Sequence, residues 1–90
     1  MPTVIRKDGF ELMIFTNDHT PSHVHCYKAE GEIIINIGDA DNAPTVRELK
    51  KMAAKDAKRA MTIVAENQAF LLDKWSEIHG QDQIRKMGDQ

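Results

Sequence analysis

The chain of 90 residues has little that would mark a secreted, membrane-spanning or nucleic-acid-binding protein. It has one cysteine, so it cannot form an internal disulfide, and nothing in its cysteine usage points to secretion. No apolar run approaches the roughly 20 residues that a membrane-spanning helix needs. The formal net charge is −2, which provides no general attraction for nucleic acid. We therefore expect one cytoplasmic domain with a single small core.

What the chain does have is a concentration of histidine in residues 17–25, called the histidine segment below. Three of its four histidines, His19, His23 and His25, fall within seven residues, after an Asn-Asp pair and around one proline. Histidine titrates near neutral pH, transfers protons and is a common metal ligand. We expect any chemistry of this protein to take place in this segment.

The apolar patterning predicts five short strands. Asp8-Gly9 is a strong hairpin-turn dipeptide and separates the first two. The predicted strands are Thr3–Lys7, Phe10–Thr16, His23–Lys28, Glu32–Ile37 and Thr45–Lys50. The last one also matches a helix capping box, but a helix from Thr45 to His79 would be about three times the usual length. We therefore predict an edge strand there.

One long helix is predicted from about Ala53 to His79, with Gly80 as its left-handed cap. Its apolar face recurs at three- and four-residue steps. This face consists of Ala57, Ala60, Met61, Val64, Gln68, Leu71, Trp75 and Ile78. Residues 1–80 then form a single domain, and we expect residues 81–90 to be a flexible tail.

These elements predict an α+β fold in which a small antiparallel sheet of four to five strands carries one long C-terminal helix on one face. Alternation along the third strand turns Val24 and Cys26 toward that helix. It turns His23, His25 and Tyr27 toward the opposite face, which we expect to be open. Cys26 is then a buried apolar group rather than a nucleophile.

The motif Asn17-Asp18-His19-x-Pro21-x-His23-x-His25 resembles the domain-of-unknown-function 4160 family of short bacterial proteins. The C-terminal half is similar as well, at residues such as Ala60, Val64, Leu71, Trp75 and Gly80. Members usually carry two prolines before His-x-His, whereas Ser22 stands in the second place here. The resemblance implies a small partner protein encoded nearby, an arrangement similar to a toxin–antitoxin pair. It also implies a broad likeness to small ribonuclease toxins.

The first chemical interpretation is RNA cleavage without a metal or other cofactor. His23 and His25 would act as general acid and base, with His19 assisting and Asp18 orienting one ring. Lys50, Lys51 and Lys55 would contact phosphate.

The second interpretation is a metal centre in which His19, His23 and His25 bind zinc or a similar divalent ion. Asp18 would be a fourth ligand or a hydrogen-bonding partner of one. The third is structural, with the histidines capping the turn and bonding across the sheet in a protein-interaction module without enzymatic activity.

A second ridge on the helix, formed by Ile63 and Phe70, either widens the buried face or, if exposed, forms a homodimer contact.

Overall fold

Five strands and two helices make up the part of the chain that the computed structural model describes, which is the backbone of residues 3–88 and the side chains of residues 3–79. The strands are β1 (Thr3–Lys7), β2 (Phe10–Met13), β3 (His23–Lys28), β4 (Gly31–Asn36) and β5 (Thr45–Lys50), and the helices are α1 (Ala54–Glu66) and α2 (Gln68–Gly88). The strands form one antiparallel sheet in the order of the chain. The predicted α+β class and the strand assignment of β5 are confirmed.

The hairpin between β1 and β2 turns at Asp8-Gly9, as the dipeptide predicts. Both residues have positive φ, 54° for Asp8 and 83° for Gly9. A two-residue turn of this hand needs that conformation at both positions, and its twist matches that of the flanking strands.

The core lies between α1 and one face of the sheet. Buried side chains of β2, β3 and β4 meet buried side chains of α1. They include Leu12, Val24, Cys26, Ile33 and Ile35 from the sheet and Ala60, Ile63 and Val64 from α1. Val24 and Cys26 therefore face the helix as predicted. Ile63 is fully buried, so it is not available for the predicted homodimer contact, whereas Phe70 is 43% exposed.

The prediction of one continuous helix is wrong, because the helix breaks at Asn67. The Asn67 side chain donates to the carbonyl of Ile63 at 2.8 Å, and its backbone N–H donates to the same oxygen at 3.1 Å. Short polar side chains compete in this way with helical hydrogen bonding. The chain then starts again as α2, where the Gln68 amide donates to the carbonyls of Ile37 at 2.9 Å and Asn42 at 3.2 Å.

Beyond the break, α2 contacts the sheet near the end of β4 and the start of β3, and its residues Leu71 and Trp75 join the same core as α1. Its first residue bonds the chain just after β4, and Trp75 contacts the first residue of β3. The helix ends at Gly88 rather than His79, so Gly80 lies within it and is not its cap. Residues 81–88 of the predicted tail are helical, and residues 89–90 lie outside the described part. Neither described helix is long and apolar enough to cross a membrane.

Candidate functional site

Two histidines of β3 and one aspartate of the preceding loop converge on one point. Asp18 Oδ1 lies 3.5 Å from His23 Nε2 and 3.4 Å from His25 Nε2. The three atoms lie within 4.8 Å of one another, and we call these residues the Asp–His cluster. His23 and His25 share a face because they are two residues apart on a strand.

Asp18 is fixed in place by its own turn. Its backbone N–H donates to the carbonyl of Phe15 at 3.1 Å, and its Oδ2 accepts the N–H of Phe15 at 3.0 Å. One carboxylate oxygen is thus used to hold the loop, as is usual for an aspartate in a turn. The other oxygen, Oδ1, is left to face the two imidazoles.

The remaining ring nitrogens each lie beside an acceptor oxygen. His23 Nδ1 is 2.9 Å from the carbonyl oxygen of Pro21, and His25 Nδ1 is 3.2 Å from Glu32 Oε2. A hydrogen on each Nδ1 satisfies both contacts. In that tautomer, each Nε2 presents a lone pair to the centre of the cluster.

The cluster is more enclosed than the open face that alternation along β3 predicts. His23 is 5% exposed, and its ring centroid lies 5.3 Å from that of Trp75. The His25 side chain is 14% exposed and meets the edge of the Phe15 ring, with 4.8 Å between the centroids. The open-face prediction is wrong for His23 because Trp75 of α2 packs against its ring.

Arg47 also reaches the cluster, and sequence reasoning missed it as a site residue. Its Nη1 lies 3.0 Å from His23 Nδ1. The register between β4 and β5 explains its position: Ile34 pairs with Glu48 but Ile35 pairs with Val46, so Arg47 is the extra residue of a β-bulge. Such bulges re-aim side chains beside functional sites.

A signal for that bulge does exist in the sequence. Val46 and Leu49 are three residues apart and would face opposite sides of a regular strand. With the extra residue between them, they pair across from Ile35 and Ile33 and share the face of the core. Two apolar residues at this spacing in a strand are therefore a sign of a bulge.

Burial and charge shift the titration of two neighbours on β3. Burial raises the pKa of the Cys26 thiol to about 12. Burial first, and then the hydrogen bond to the Glu32 carboxylate, raise the pKa of Tyr27 to about 12. The phenol of Tyr27 and the Nδ1 of His25 both approach Glu32, so this carboxylate accepts hydrogen bonds from two side chains of β3.

The other predicted site residues do not join the cluster. His19 is exposed and is not among the converging ligand atoms. Lys50 forms an ion pair with Glu48 at 3.1 Å on β5, and Lys51 is exposed just after that strand. Lys55 lies on α1 and lines a separate groove. The predicted phosphate-contact group is therefore divided between the end of β5 and the start of α1.

Comparison with known proteins identifies one related family. A family model described as a domain of unknown function, DUF4160, matches residues 9–76. The matched range includes β2 to β5, the Asp–His cluster, Arg47 and Trp75. No curated protein and no solved structure has significant similarity to this chain. The match therefore gives the family and assigns no activity.

Proposed function

The chain belongs to the DUF4160 family of domains of unknown function, and we propose that it binds one divalent transition-metal ion through Asp18, His23 and His25. Zinc is the ion chosen for the tests below, because two imidazoles and one carboxylate suit zinc as well as iron(II) and do not suit magnesium or calcium.

The observation that carries this proposal is the pair of distances at Asp18 Oδ1. At 3.4 and 3.5 Å, the contacts to the two Nε2 atoms are longer than an ordinary N–H···O hydrogen bond. They equal the separation of about 3.4 Å between two ligands of a tetrahedral ion whose bonds are about 2.1 Å. These two distances support a common ion at Asp18 Oδ1. The ligand atoms of the three residues lie within 4.8 Å of one another, so the two imidazoles have to approach toward about 3.4 Å for one tetrahedral ion to bind all three.

The partners of the other ring nitrogens support the same proposal. A histidine that binds a metal through Nε2 usually donates its Nδ1–H to a backbone carbonyl or a carboxylate. His23 has the carbonyl of Pro21 there, and His25 has Glu32. These contacts fix the tautomer and the orientation of each ring.

The proposed ligand set differs from the one that the sequence predicts. Asp18 takes the place of His19, whose side chain is exposed. Three protein ligands leave one position of a tetrahedral ion open, which is the arrangement of catalytic rather than purely structural zinc sites. A bound water or substrate atom would fill that position.

Metal-independent RNA cleavage is supported less well by this geometry. An acid–base pair has to reach the reacting oxygens of its substrate. His23 is 5% exposed, and its Nε2 faces Asp18. The toxin-like role, the partner protein and the cytoplasmic location stay predictions.

Calorimetric titration of the protein with zinc tests the proposal. We expect one ion per chain, and we expect Asp18→Asn and His23→Ala to lower the affinity by more than the roughly 10- to 100-fold that loss of a hydrogen-bonding partner of a ligand costs. His19→Ala is the matched control and should bind like wild type, because it removes a histidine of the same segment outside the cluster. Circular dichroism of each variant verifies that it is folded. Equal loss of affinity in Asp18→Asn and His19→Ala, or no uptake by the wild type, overturns the proposal.

A further inference from the structure

Arg47 is the charged residue at the cluster that the proposed metal site does not use. Its side chain approaches the cluster at His23 Nδ1, at 3.0 Å, and the residue is exposed to solvent. Among the described residues, no carboxylate lies within ion-pair distance of its guanidinium, although Arg6 and Arg59 both have such partners. A guanidinium has five N–H donors in a planar fork, so Arg47 has donors to spare.

The charge of the loaded site favours an anion. A divalent ion, the carboxylates of Asp18 and Glu32 and the guanidinium of Arg47 leave one net positive charge in a largely enclosed place. Electrostatic interactions are stronger there than in water because the surroundings are less polar. Neutralisation of that charge requires an anionic group from outside the cluster.

Metal binding also changes what Arg47 is able to contact. His23 Nδ1 accepts a hydrogen bond from Arg47 only while it bears no hydrogen. A neutral His23 that binds a metal through Nε2 has its hydrogen on Nδ1, where it donates to the carbonyl of Pro21. With its hydrogen on Nδ1, His23 cannot accept a hydrogen bond from Arg47, so this N–H of Arg47 has no acceptor in the cluster and is available to a ligand.

From this geometry, we propose that the site binds a phosphate group, with one oxygen on the open metal position and the others on the Arg47 guanidinium. This inference rests on the proposed metal site and names its ligand class. Phosphate matches the two requirements together, because it offers a metal ligand and two further oxygens for the fork of an arginine. Metal and phosphate should then increase each other's affinity, as linkage requires.

The experiment is the zinc titration in buffers of equal ionic strength with chloride or with inorganic phosphate, on wild type, Arg47→Gln and Lys50→Gln. Zinc–phosphate association in solution is common to all three proteins, so the differences between them report the site alone. We expect phosphate to raise the zinc affinity of wild type relative to Arg47→Gln by about 5- to 150-fold, the usual range of coupling between sites. Lys50→Gln removes a cation of the same strand and should behave like wild type.

Each outcome separates the two proposals. Zinc uptake with the same phosphate effect in wild type and Arg47→Gln overturns the phosphate site but not the metal site, whereas no zinc uptake overturns both. Arg47→Gln should also bind zinc at least as well as wild type in chloride, because it removes a positive charge and a competitor for His23 Nδ1. A second arm with a dinucleotide monophosphate identifies the source. A phosphodiester keeps one unesterified oxygen for the metal and one for Arg47. If the dinucleotide acts like inorganic phosphate, the site accepts a nucleic-acid backbone, and if only inorganic phosphate acts, the two oxygens for Arg47 are needed and the ligand is a free phosphate.

Discussion

The imidazoles of His23 and His25 present the same nitrogen, Nε2, to Asp18, although one lies under Trp75 and the other against Phe15. The shared orientation comes from the acceptors on the opposite side of each ring. One acceptor is the backbone carbonyl of Pro21, which a side-chain substitution does not remove. The other is the carboxylate of Glu32, which a substitution does remove. Glu32 is therefore the residue at which the role of ring orientation is open to test.

Glu32→Gln should weaken zinc binding by about 10-fold, because the amide is a poorer acceptor for His25 Nδ1–H than the carboxylate. The same variant should lower the pKa of Tyr27 below about 12, since the bond to the carboxylate contributes to its rise. That pKa should stay above its ordinary value of 10, because burial is the larger cause. Zinc titration and absorbance titration of the phenol measure the two effects, and the chain has only one tyrosine.

The raised pKa of Tyr27 also sets the sign of a pH effect on stability. The phenol keeps its proton in the folded state to a higher pH than in the unfolded state, so folding becomes less favourable as pH rises from 10 toward about 12. Glu48→Gln on β5 is the control, with a Tyr27 pKa like that of wild type. A Tyr27 pKa that does not move in Glu32→Gln would contradict the contact between the two side chains.

Which side of the sheet each residue of β3 faces was predictable from alternation alone, because a strand has a period of two. Cys26 and Val24 are fully buried on the side of α1, and the thiol has the character of a core group. Arg47 was not predictable in the same way. Its position depends on one extra residue in β5, and a single-residue shift reverses the side to which a side chain points.

At the scale of elements, the junction between α1 and α2 separates the helix that packs on the core face of the sheet from the helix that carries Trp75, the residue that covers His23. The apolar stripe runs across the junction without interruption, from Ala60 and Val64 to Leu71 and Trp75, all of which are buried. Periodicity therefore predicted which side chains face inward but not the interruption of the helix at Asn67. The break is a local competition at Asn67, stabilised by the hydrogen bonds of the Gln68 amide to the end of β4 and the following loop.

Gln68→Ala should lower the free energy of unfolding by about 1–3 kcal/mol, because it leaves the Ile37 carbonyl without this donor. Urea denaturation measures the change. Ser76→Ala, at an exposed position of the same helix, is the control and should differ from wild type by less than about 0.5 kcal/mol. Equal stability of Gln68→Ala and Ser76→Ala would show that the junction does not depend on this amide.

At the scale of the whole molecule, the proposed ion joins the loop before β3 to β3 itself, and β4 supports it through Glu32. Asp18 belongs to the loop before β3, His23 and His25 belong to β3, and Glu32 belongs to β4. An ion that binds only the folded arrangement stabilises the entire domain, because these parts unfold together.

Zinc should therefore raise the unfolding free energy of wild type by about 2.7 kcal/mol when free zinc is 100 times the dissociation constant. Thermal and urea denaturation at several zinc concentrations give this dependence. Asp18→Asn should show a much smaller gain at the same zinc concentration, and magnesium should give none with either protein. Stabilisation of wild type by magnesium as strong as that by zinc would point to general screening of charge rather than to a site.

The molecule as a whole also shows where sequence reasoning was sufficient. The five strands, the α+β class and the shared face of His23 and His25 follow from short-range patterns, and the match over residues 9–76 confirms the family. The enclosure of His23 and the approach of Arg47 depend on tertiary contacts over distances of 52 and 24 residues along the chain, from Trp75 and from β5. The spacing of Val46 and Leu49 indicates the bulge on β5, but it does not tell which side chain of the sheet Arg47 will contact.

X-ray absorption spectroscopy of the zinc-loaded protein tests the metal centre most directly. We expect one zinc per chain, bound by two imidazole nitrogens at about 2.0–2.1 Å and by oxygen at about 2.0–2.2 Å, with the protein oxygen contributed by Asp18. The imidazole signal should fall to one ring in His25→Ala and stay at two in His19→Ala. A sulfur ligand, a third imidazole that disappears in His19→Ala, or an ion surrounded by water alone would contradict a centre built from Asp18, His23 and His25.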